Sequence, residues 1–183
     1  MKRLLAGCLL AFSVLAASSA MAQTYPSKPI RWLVPYPAGG GSDFLARTIG
    51  QQLSTQVGQP VIVDNKPGAN TAVAAAETAR AAPDGYTMLS ADNGTMVFNP
   101  VLYKSLSYSP TKDLAPVTLM GRFPMILVVN PESGITDAKA FIEKAKASAE
   151  GLNYASAGAG SPHHLAMERL KVETGLPLAH VPY

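Results

Sequence analysis

Two glycine-rich loops, each between a predicted strand and a predicted helix, hold the residues best suited to do chemistry in this sequence. The first is Gly39-Gly40-Gly41-Ser42-Asp43, and the second is Gly158-Ala159-Gly160-Ser161-Pro162. The first N–H groups of a helix have no partner within the helix, and the helix dipole places about half a positive charge there. Because glycines let a ligand approach this bare backbone, each loop is a candidate anion site.

Phosphate and dinucleotide are the first anions to consider, and the sequence argues against both. A phosphate loop of the Walker type needs a lysine, and neither loop contains one. Gly39 and Gly41 fit the first two glycines of the dinucleotide pattern, but Phe44 stands at the third. Asp64 lies about 20 residues on, where a ribose-binding acid would stand. Asp43, however, would place a negative charge beside a diphosphate.

A carboxylate fits the two loops better than a phosphate does. It carries a single charge, and a few N–H groups and a hydroxyl satisfy it without a lysine. Two such loops, from two lobes, could close on one ligand from opposite sides.

Catalysis and metal binding are the alternatives that the residues leave open. No G-x-S-x-G nucleophile motif occurs, but Ser161 with His163 or His164 could serve an exported hydrolase. His164 and Glu168 share a helix face at a spacing of four residues and could bind a metal together with His180. Two histidines and one carboxylate so far apart in sequence are a weak indication of a zinc site. A histidine in the first turn of a helix and a solvated glutamate explain the same pattern without a metal. We expect no catalytic residue, no metal site and no cofactor.

Strands that alternate with helices predict the fold class. Apolar runs predict strands at residues 30–34, 60–63, 86–90 and 152–156, and helical periodicity or capping predicts helices at 42–57, 71–82, 137–149 and 161–174. Residues 117–129, the most apolar part after the first 22 residues, are predicted to form a strand, a crossing and another strand. Such an alternation predicts an α/β fold with a parallel sheet covered on both faces.

The first 22 residues have the organisation of a secretory signal peptide. Lys2 and Arg3 precede an apolar run over residues 4–17, and Ala20 and Ala22 stand where signal peptidase prefers small residues. The run is shorter than the about 20 residues that span a membrane. We predict cleavage after Ala22.

The composition of the remaining chain favours the periplasm and excludes nucleic acid as a partner. The sequence around Cys8 also resembles a lipid-attachment motif, but most of the apolar run follows it, so we expect this cysteine to be discarded with the signal. Loss of Lys2 and Arg3 leaves 13 of the 15 basic residues against 12 acidic ones, which gives no basic field for a nucleic acid. An exported chain without cysteine suits a bacterial periplasm better than a small disulfide-bonded scaffold.

A series of motifs in a fixed order extends over the whole chain after residue 22. They are Tyr25-Pro26-x-Lys28-Pro29-Ile30, Val34-Pro35-Tyr36-Pro37-Ala38-Gly39-Gly40-Gly41-Ser42-Asp43, Ala46-Arg47, Gly58-Gln59-Pro60-Val61, Asn65-Lys66-Pro67-Gly68-Ala69, Ala82-Pro83-Asp84-Gly85-Tyr86-Thr87 and Ser156-Ala157-Gly158-x-Gly160-Ser161-x-x-His164-Leu165. This series resembles the Bug receptors, the extracytoplasmic solute-binding proteins of tripartite tricarboxylate transporters.

The resemblance implies a two-lobed α/β periplasmic binding protein, a type II-like Venus flytrap that closes around its ligand at a hinge. The implied ligand is a di- or tricarboxylate or an acidic amino acid, with one carboxylate held between the two loops. The implied partner is the membrane permease of the transporter, and the receptor itself is expected to be a monomer.

The resemblance also implies which positions line the site. In the first lobe these are Pro37, Ala38, Gly39, Gly40, Gly41, Ser42 and Asp43, and in the second they are Ser156, Ala157, Gly158, Gly160, Ser161 and His164. Asp92, Asn93 and Thr95, at the end of the third strand, are predicted to influence selectivity. Asp43 is expected to fix its loop or orient water rather than to touch a carboxylate.

Members of this family are roughly twice as long as the exported part of this chain, in keeping with two domains of ordinary size. The resemblance therefore implies that residues 23–122 form the first lobe and residues 123–183 the start of the second. We expect the return strands and the second hinge connection to be absent, as in a C-terminally truncated form.

Overall fold

The computed structural model describes residues 24–183, so the predicted signal peptide lies outside the described residues. Strands β1–β5 are Ile30–Val34, Val61–Asn65, Thr87–Leu89, Leu152–Ser156 and Leu178–Pro182, and helices α1–α5 are Gly41–Val57, Ala72–Arg80, Asn99–Leu102, Ala138–Ala147 and Pro162–Thr174. A π-helical turn, Gly94–Phe98, leads into α3, and a 3-10 turn, Pro131–Ser133, precedes α4. Within residues 24–183, no helix combines the length and the apolar character that crossing a membrane requires.

The first sheet has three parallel strands in the order β2-β1-β3. The central strand β1 is almost wholly buried, with Leu33 and Val34 at 0% exposure, because neighbours flank it and helices cover both faces. Trp32 and Val34 pack with Ala46 of α1, whereas Leu33 projects to the opposite face by the alternation of side chains along a strand. The prediction of a parallel sheet covered on both faces is confirmed for this unit.

Each covering helix uses small residues to approach the sheet. Gly50 of α1 lies so close to β2 that an added Cβ would stand 3.2 Å from the Val61 side chain. On the other face, alanines of α2, including Ala75 and Ala76, pack with the buried ring of Tyr108. We refer to residues 30–115 as the three-stranded unit.

A second, smaller sheet is built from the parallel pair β4 and β5. The helix α5 connects the two strands, and Phe141 of α4 packs with Tyr154 and Leu178 in a core of its own. Strand β5 was not predicted, because Pro177 and Pro182 stand on either side of residues 178–181 and favour a turn. We refer to residues 131–183 as the two-stranded unit.

The two strands predicted over residues 117–129 are wrong, since no strand is found there. A strand forms only when its N–H and C=O groups pair with a neighbour, and none of the strands in residues 24–183 runs beside this segment. Its side chains are correspondingly open, with Val117 at 86% and Val128 at 78% exposure. Apolar composition identified the segment, but a strand also needs a partner.

The remaining predicted elements are present within a few residues of their predicted ends. Asp137 caps α4 by accepting a hydrogen bond from the Ala140 N–H at 2.8 Å, as predicted. Gly58 ends α1 in the left-handed conformation, as expected of a glycine after a helix. Residues 94–102, for which no strand or helix was predicted, form a π-helical turn followed by the short α3.

Candidate functional site

The first glycine loop lies at the carboxyl end of the central strand, where open α/β sheets commonly bind ligands. Residues 37–41 are exposed, and α1 begins at Gly41 with Gly40 as its N-cap. No side chain caps this end, so the N–H groups of Gly40, Gly41 and Ser42 have no acceptor among the described side chains. The loop thus presents open backbone donors at the positive end of a 17-residue helix.

Asp43 fixes this loop from beneath rather than facing solvent. Its side chain is 4% exposed, and its Oδ2 accepts a hydrogen bond from the Gly39 N–H at 2.9 Å. Its Oδ1 accepts from Asn65 Nδ2 at 2.9 Å and from Arg47 Nε at 3.0 Å. These bonds tie the loop after β1 to the end of β2, in agreement with the expectation that Asp43 holds the loop.

The hydrogen bonds from Arg47, Gly39 and Asn65 lower the pKa of Asp43 to about 2. The carboxylate is therefore charged at every physiological pH, and Arg47 balances it. A ligand anion at the loop would meet the exposed N–H groups, with the charge of Asp43 already compensated.

We predict that Asp43→Asn lowers the free energy of unfolding by about 2 kcal/mol at pH 7, since a depressed carboxyl pKa stabilises the folded state above the unfolded pKa. That contribution is lost as the pH falls from about 4 through 2, so the two proteins should converge in acid. Urea unfolding at several pH values measures it. Glu150→Gln, at an exposed carboxylate, is the control, and equal stability of both variants at pH 7 would contradict the assignment.

The glycines of this loop make room for the chain itself as well as for a ligand. Gly39 has φ of 89°, a left-handed conformation that side chains rarely adopt. A Cβ on Gly41 would lie 2.9 Å from Cε1 of Phe123, which comes from the unpaired segment before the two-stranded unit. The aromatic ring of Phe123 thus forms a wall beside the start of α1.

The three residues predicted to influence selectivity take different places after β3. Asp92 accepts a hydrogen bond from the Tyr36 hydroxyl at 2.6 Å and one from the Thr95 N–H at 2.9 Å. Thr95 is 0% exposed, and its hydroxyl bonds to that of Thr71 at 2.8 Å. Asn93 is exposed. The structure therefore joins Asp92 to the first loop through Tyr36 and places Thr95 inside the unit.

The second glycine loop has the predicted helix start. Ser161 is the N-cap of α5, its Oγ accepts a hydrogen bond from the His164 N–H at 3.2 Å, and Pro162 follows in the first turn. Ser161 and Gly160 are buried, whereas Ala157 and Ala159 are exposed. The accessible surface of this loop therefore lies mainly on Ala157 and Ala159.

Two histidines stack beside this loop and share its hydrogen bonds. The rings of His164 and His180 lie 4.0 Å apart, and Nδ1 of His164 accepts from the Gly160 N–H at 3.0 Å. Ser156 Oγ lies 2.6 Å from Nε2 of His180 and also bonds to the Gly158 carbonyl. Because the serine donates to that carbonyl, His180 is the donor in the pair.

These contacts give no support to the hydrolase and metal alternatives. Ser161 is 0% exposed and uses its oxygen as a helix cap, and Nδ1 of His164 is occupied by a backbone N–H. His164 Nε2 and Glu168 Oε1 are 3.8 Å apart, and residues 24–183 contain no cluster of three ligating side chains placed to hold a metal.

Burial is the main cause that lowers the pKa of His180. The nearby His164 and Lys171 lower this pKa further, whereas Glu168 raises it. As the pH falls through about 6.5, His180 therefore binds its proton less readily in the folded protein than in the unfolded chain. We predict that the melting temperature falls as the pH is lowered from 7 to 5, and that His180→Gln reduces this fall.

The matched control for this measurement is His163→Gln, because His163 is exposed and lies outside the stack. The melting temperature of this variant should depend on pH in the same way as that of the unmodified protein. A melting temperature independent of pH over this interval, or an equal effect of both substitutions, would contradict the role of His180.

One hydrogen bond brings the second loop to the three-stranded unit. Asn70, in the turn between β2 and α2, donates from Nδ2 to the Gly160 carbonyl at 2.8 Å. The second loop therefore lies against the end of the first sheet that also carries the first glycine loop. The sequence pattern predicts that both loops follow strands, but only the contact between Asn70 and Gly160 shows that the two loops lie at the same end of the first sheet.

Comparison with known proteins is consistent with this geometry. The family model described as the tripartite tricarboxylate transporter family receptor matches residues 45–183. The chain belongs to this receptor family. The family consists of solute-binding receptors rather than enzymes.

Similar proteins extend the likeness to the first loop of this receptor chain. It is 37% identical to Protein BugT of Bordetella pertussis over 186 residues, which cover 100% of the chain and 57% of BugT. It is 41% identical to a UPF0065 protein of Bordetella bronchiseptica, over 98% of the chain and 52% of that relative. The receptor chain thus spans about half the length of the curated relatives it matches.

Solved structures show the same fold. The receptor chain is 33% identical to an R. palustris protein solved with adipate, with a TM-score of 0.83, and 31% identical to MatC from Rhodopseudomonas palustris with bound malate, with a TM-score of 0.79. Both matches cover 87% of the chain, and 53% and 54% of the respective solved chains. The periplasmic binding protein BugD, at 31% identity, gives a TM-score of 0.72. The α/β periplasmic-binding-protein fold is therefore confirmed.

Sequence reasoning missed two contributors to the site region of this receptor. Asn70 lies directly after the Asn65-Lys66-Pro67-Gly68-Ala69 motif, and its tolerance of left-handed backbone is the signal that could have singled it out. Phe123 lies in the segment predicted to be strand, where nothing in the pattern indicated a contact with Gly41.

Proposed function

We propose that the chain is part of a periplasmic receptor that binds a carboxylate-bearing small molecule, a di- or tricarboxylate or an acidic amino acid, and passes it to the membrane permease of a tripartite tricarboxylate transporter. One carboxylate of the ligand bonds to both glycine loops. The receptor acts as a monomer, its signal peptide is removed after Ala22, and its first and second lobes divide between residues 122 and 123.

The observation that carries this proposal is the exposed backbone at the start of α1. Gly40, Gly41 and Ser42 offer N–H groups without a described side-chain acceptor, and the helix dipole favours an anion there. Because Arg47 and two neutral donors already satisfy Asp43, the loop does not repel a single negative charge.

The second loop supplies the opposing side. Ala157 and Ala159 are the exposed residues of this loop, while Ser161 and His164 hold the loop in shape through their bonds to each other and to Gly160. The contact between Asn70 and Gly160 brings this loop to the carboxyl edge of the first sheet, where the first loop lies. One small anion placed between the units would meet both sets of donors.

The solved relatives support the ligand class. One structure with a TM-score of 0.83 contains adipate and another with a TM-score of 0.79 contains malate, and both ligands are dicarboxylates. Backbone N–H groups that bind the carboxylate common to both ligands, with different side chains around the rest of the molecule, would explain how one fold binds both adipate and malate. In this chain the wall formed by Phe123 and the exposed Asn93 are placed to discriminate among them.

The direct test is calorimetric titration of the purified protein with adipate, malate, citrate, glutamate and aspartate, with glucose and putrescine as neutral and cationic controls. We expect saturable binding of at least one of the acids and none of the controls. Binding that is restricted to the sugar or the amine would reject the proposal.

A substitution at Gly40 tests the backbone donors themselves. Gly40→Pro removes one N–H group, and the native φ of −79° is close to the value that proline requires. We predict that it weakens binding of the preferred acid about tenfold or more, because a hydrogen bond to a charged group contributes about 1.5–3 kcal/mol.

Gly40→Ala is the matched variant, since it keeps the N–H group and its Cβ would meet only the Pro37 carbonyl at 3.7 Å. It should bind the acid within about twofold of the unmodified protein, as expected when no hydrogen bond is lost. Equal affinities for the proline and alanine variants would show that this donor does not contact the ligand.

A further inference from the structure

A single hydrogen bond joins the two units within residues 24–183. Nδ2 of Asn70 donates to the Gly160 carbonyl at 2.8 Å across 90 positions of sequence, and every other described hydrogen bond or ion pair stays within a unit or its adjoining segment. The mutual placement of the two glycine loops therefore depends on this side chain more than on any other polar group described.

Asn70 is held in an unusual backbone conformation. Its φ is 47°, and it stands between Ala69 with φ of 45° and Thr71 with φ of 74°. Left-handed residues other than glycine are strained and uncommon, and they persist only where the surrounding structure enforces the conformation. This run of three left-handed residues immediately precedes α2, and from it the Asn70 side chain reaches Gly160 of the two-stranded unit.

The orientation of the Asn70 amide follows from its partner Asn99. Nδ2 of Asn99 donates to the Asn70 backbone carbonyl at 2.7 Å, and Oδ1 of Asn99 accepts from Nδ2 of Asn70, also at 2.7 Å. Asn99 is 0% exposed, and its own Nδ2 is 3.1 Å from the Tyr108 hydroxyl, so this reciprocal pair is fixed from below.

The pairing commits both N–H groups of the Asn70 amide. One N–H is used within the three-stranded unit, at Asn99, and the other crosses to Gly160. Oδ1 is buried and accepts no hydrogen bond from the described residues. The donors, rather than the acceptor, are therefore what the position uses.

Gly160 packs closely against the Asn70 side chain. A Cβ added at Gly160 would lie 3.2 Å from Nδ2 of Asn70 and 3.1 Å from Cδ1 of Leu102. The N–H of Gly160 is bound at the same time by Nδ1 of His164. The carbonyl of Gly160 is thus bonded to the three-stranded unit, and its N–H group is bonded to His164 of α5.

We propose that Asn70 is the positioning residue that sets the second glycine loop against the three-stranded unit, so that a carboxylate can reach both loops. Asn70 acts through Gly160 and does not itself contact the ligand. The effect on ligand affinity rests on the proposed function, whereas the effect on the spacing of the units does not.

Two substitutions at the position separate the amide from the backbone. Asn70→Gly removes both donors but suits a φ of 47°, so relief of strain offsets part of the loss and the unit should stay folded. Asn70→Asp keeps the shape and places acceptors where donors are needed. Ala69→Gly is the matched control, because it relaxes the neighbouring left-handed residue and leaves the Asn70 amide in place.

The distance between the units is measured by electron paramagnetic resonance with spin labels on cysteines at Gln52 of α1 and Val172 of α5, both exposed. The chain after the proposed cleavage at Ala22 contains no cysteine, so these two introduced cysteines are the only labelling sites. We expect one narrow distance distribution without ligand in the parent and in Ala69→Gly, and a broadened one in Asn70→Gly and Asn70→Asp. Melting temperatures, recorded in parallel, should change little in Asn70→Gly.

Adipate titration of the same proteins gives the second readout. We expect Asn70→Gly to weaken binding about tenfold and Ala69→Gly to leave it unchanged, consistent with the loss of one well-placed hydrogen bond. An unchanged, narrow distance distribution in Asn70→Gly would overturn the positioning role. Failure of the parent protein to bind adipate or any other acid would count against the proposed function, while the distance distributions would still decide the role of Asn70.

Discussion

Backbone N–H groups without partners at the start of a helix are the constraint on which this site depends. Parallel strands end at one edge of the sheet, and the helix that follows β1 begins there with its first donors open. Burial of β1 fixes that edge, since Leu33 and Val34 are wholly enclosed between α1 and α2. The rigid core thus determines where the open donors lie, and an anion is the ligand that such donors bind best.

Side chains of the following helices hold the two glycine loops in place and leave the open N–H groups at the start of α1 free for a ligand. Asp43 binds the Gly39 N–H from the buried side of the first loop, and His164 binds the Gly160 N–H in the second. In each loop one glycine thus donates its N–H group to a side chain of the helix that follows the loop. The network from Tyr36 through Asp92 extends the same organisation to the end of β3.

The parts of the structure that could be predicted from sequence are those determined by local pattern. The strands β1 to β4, the helices α1, α2, α4 and α5, and the caps Asp137 and Ser161 follow from apolar periodicity and from the chemistry of helix ends. Strand formation over residues 117–129 could not be judged in that way, because a strand depends on a neighbour that can lie anywhere in the chain. The contacts of Asn70 with Gly160, and of Phe123 with Gly41, join residues more than 80 positions apart, and no local pattern encodes them.

The most direct measurement of the central claim is a titration of the 15N-labelled protein with a dicarboxylate, followed by amide chemical shifts. The account predicts that the largest shifts occur at the amides of Gly40, Gly41 and Ser42 and at Ala159, and that they saturate together with one dissociation constant. Shifts concentrated elsewhere, with these four amides unmoved at saturation, would contradict it.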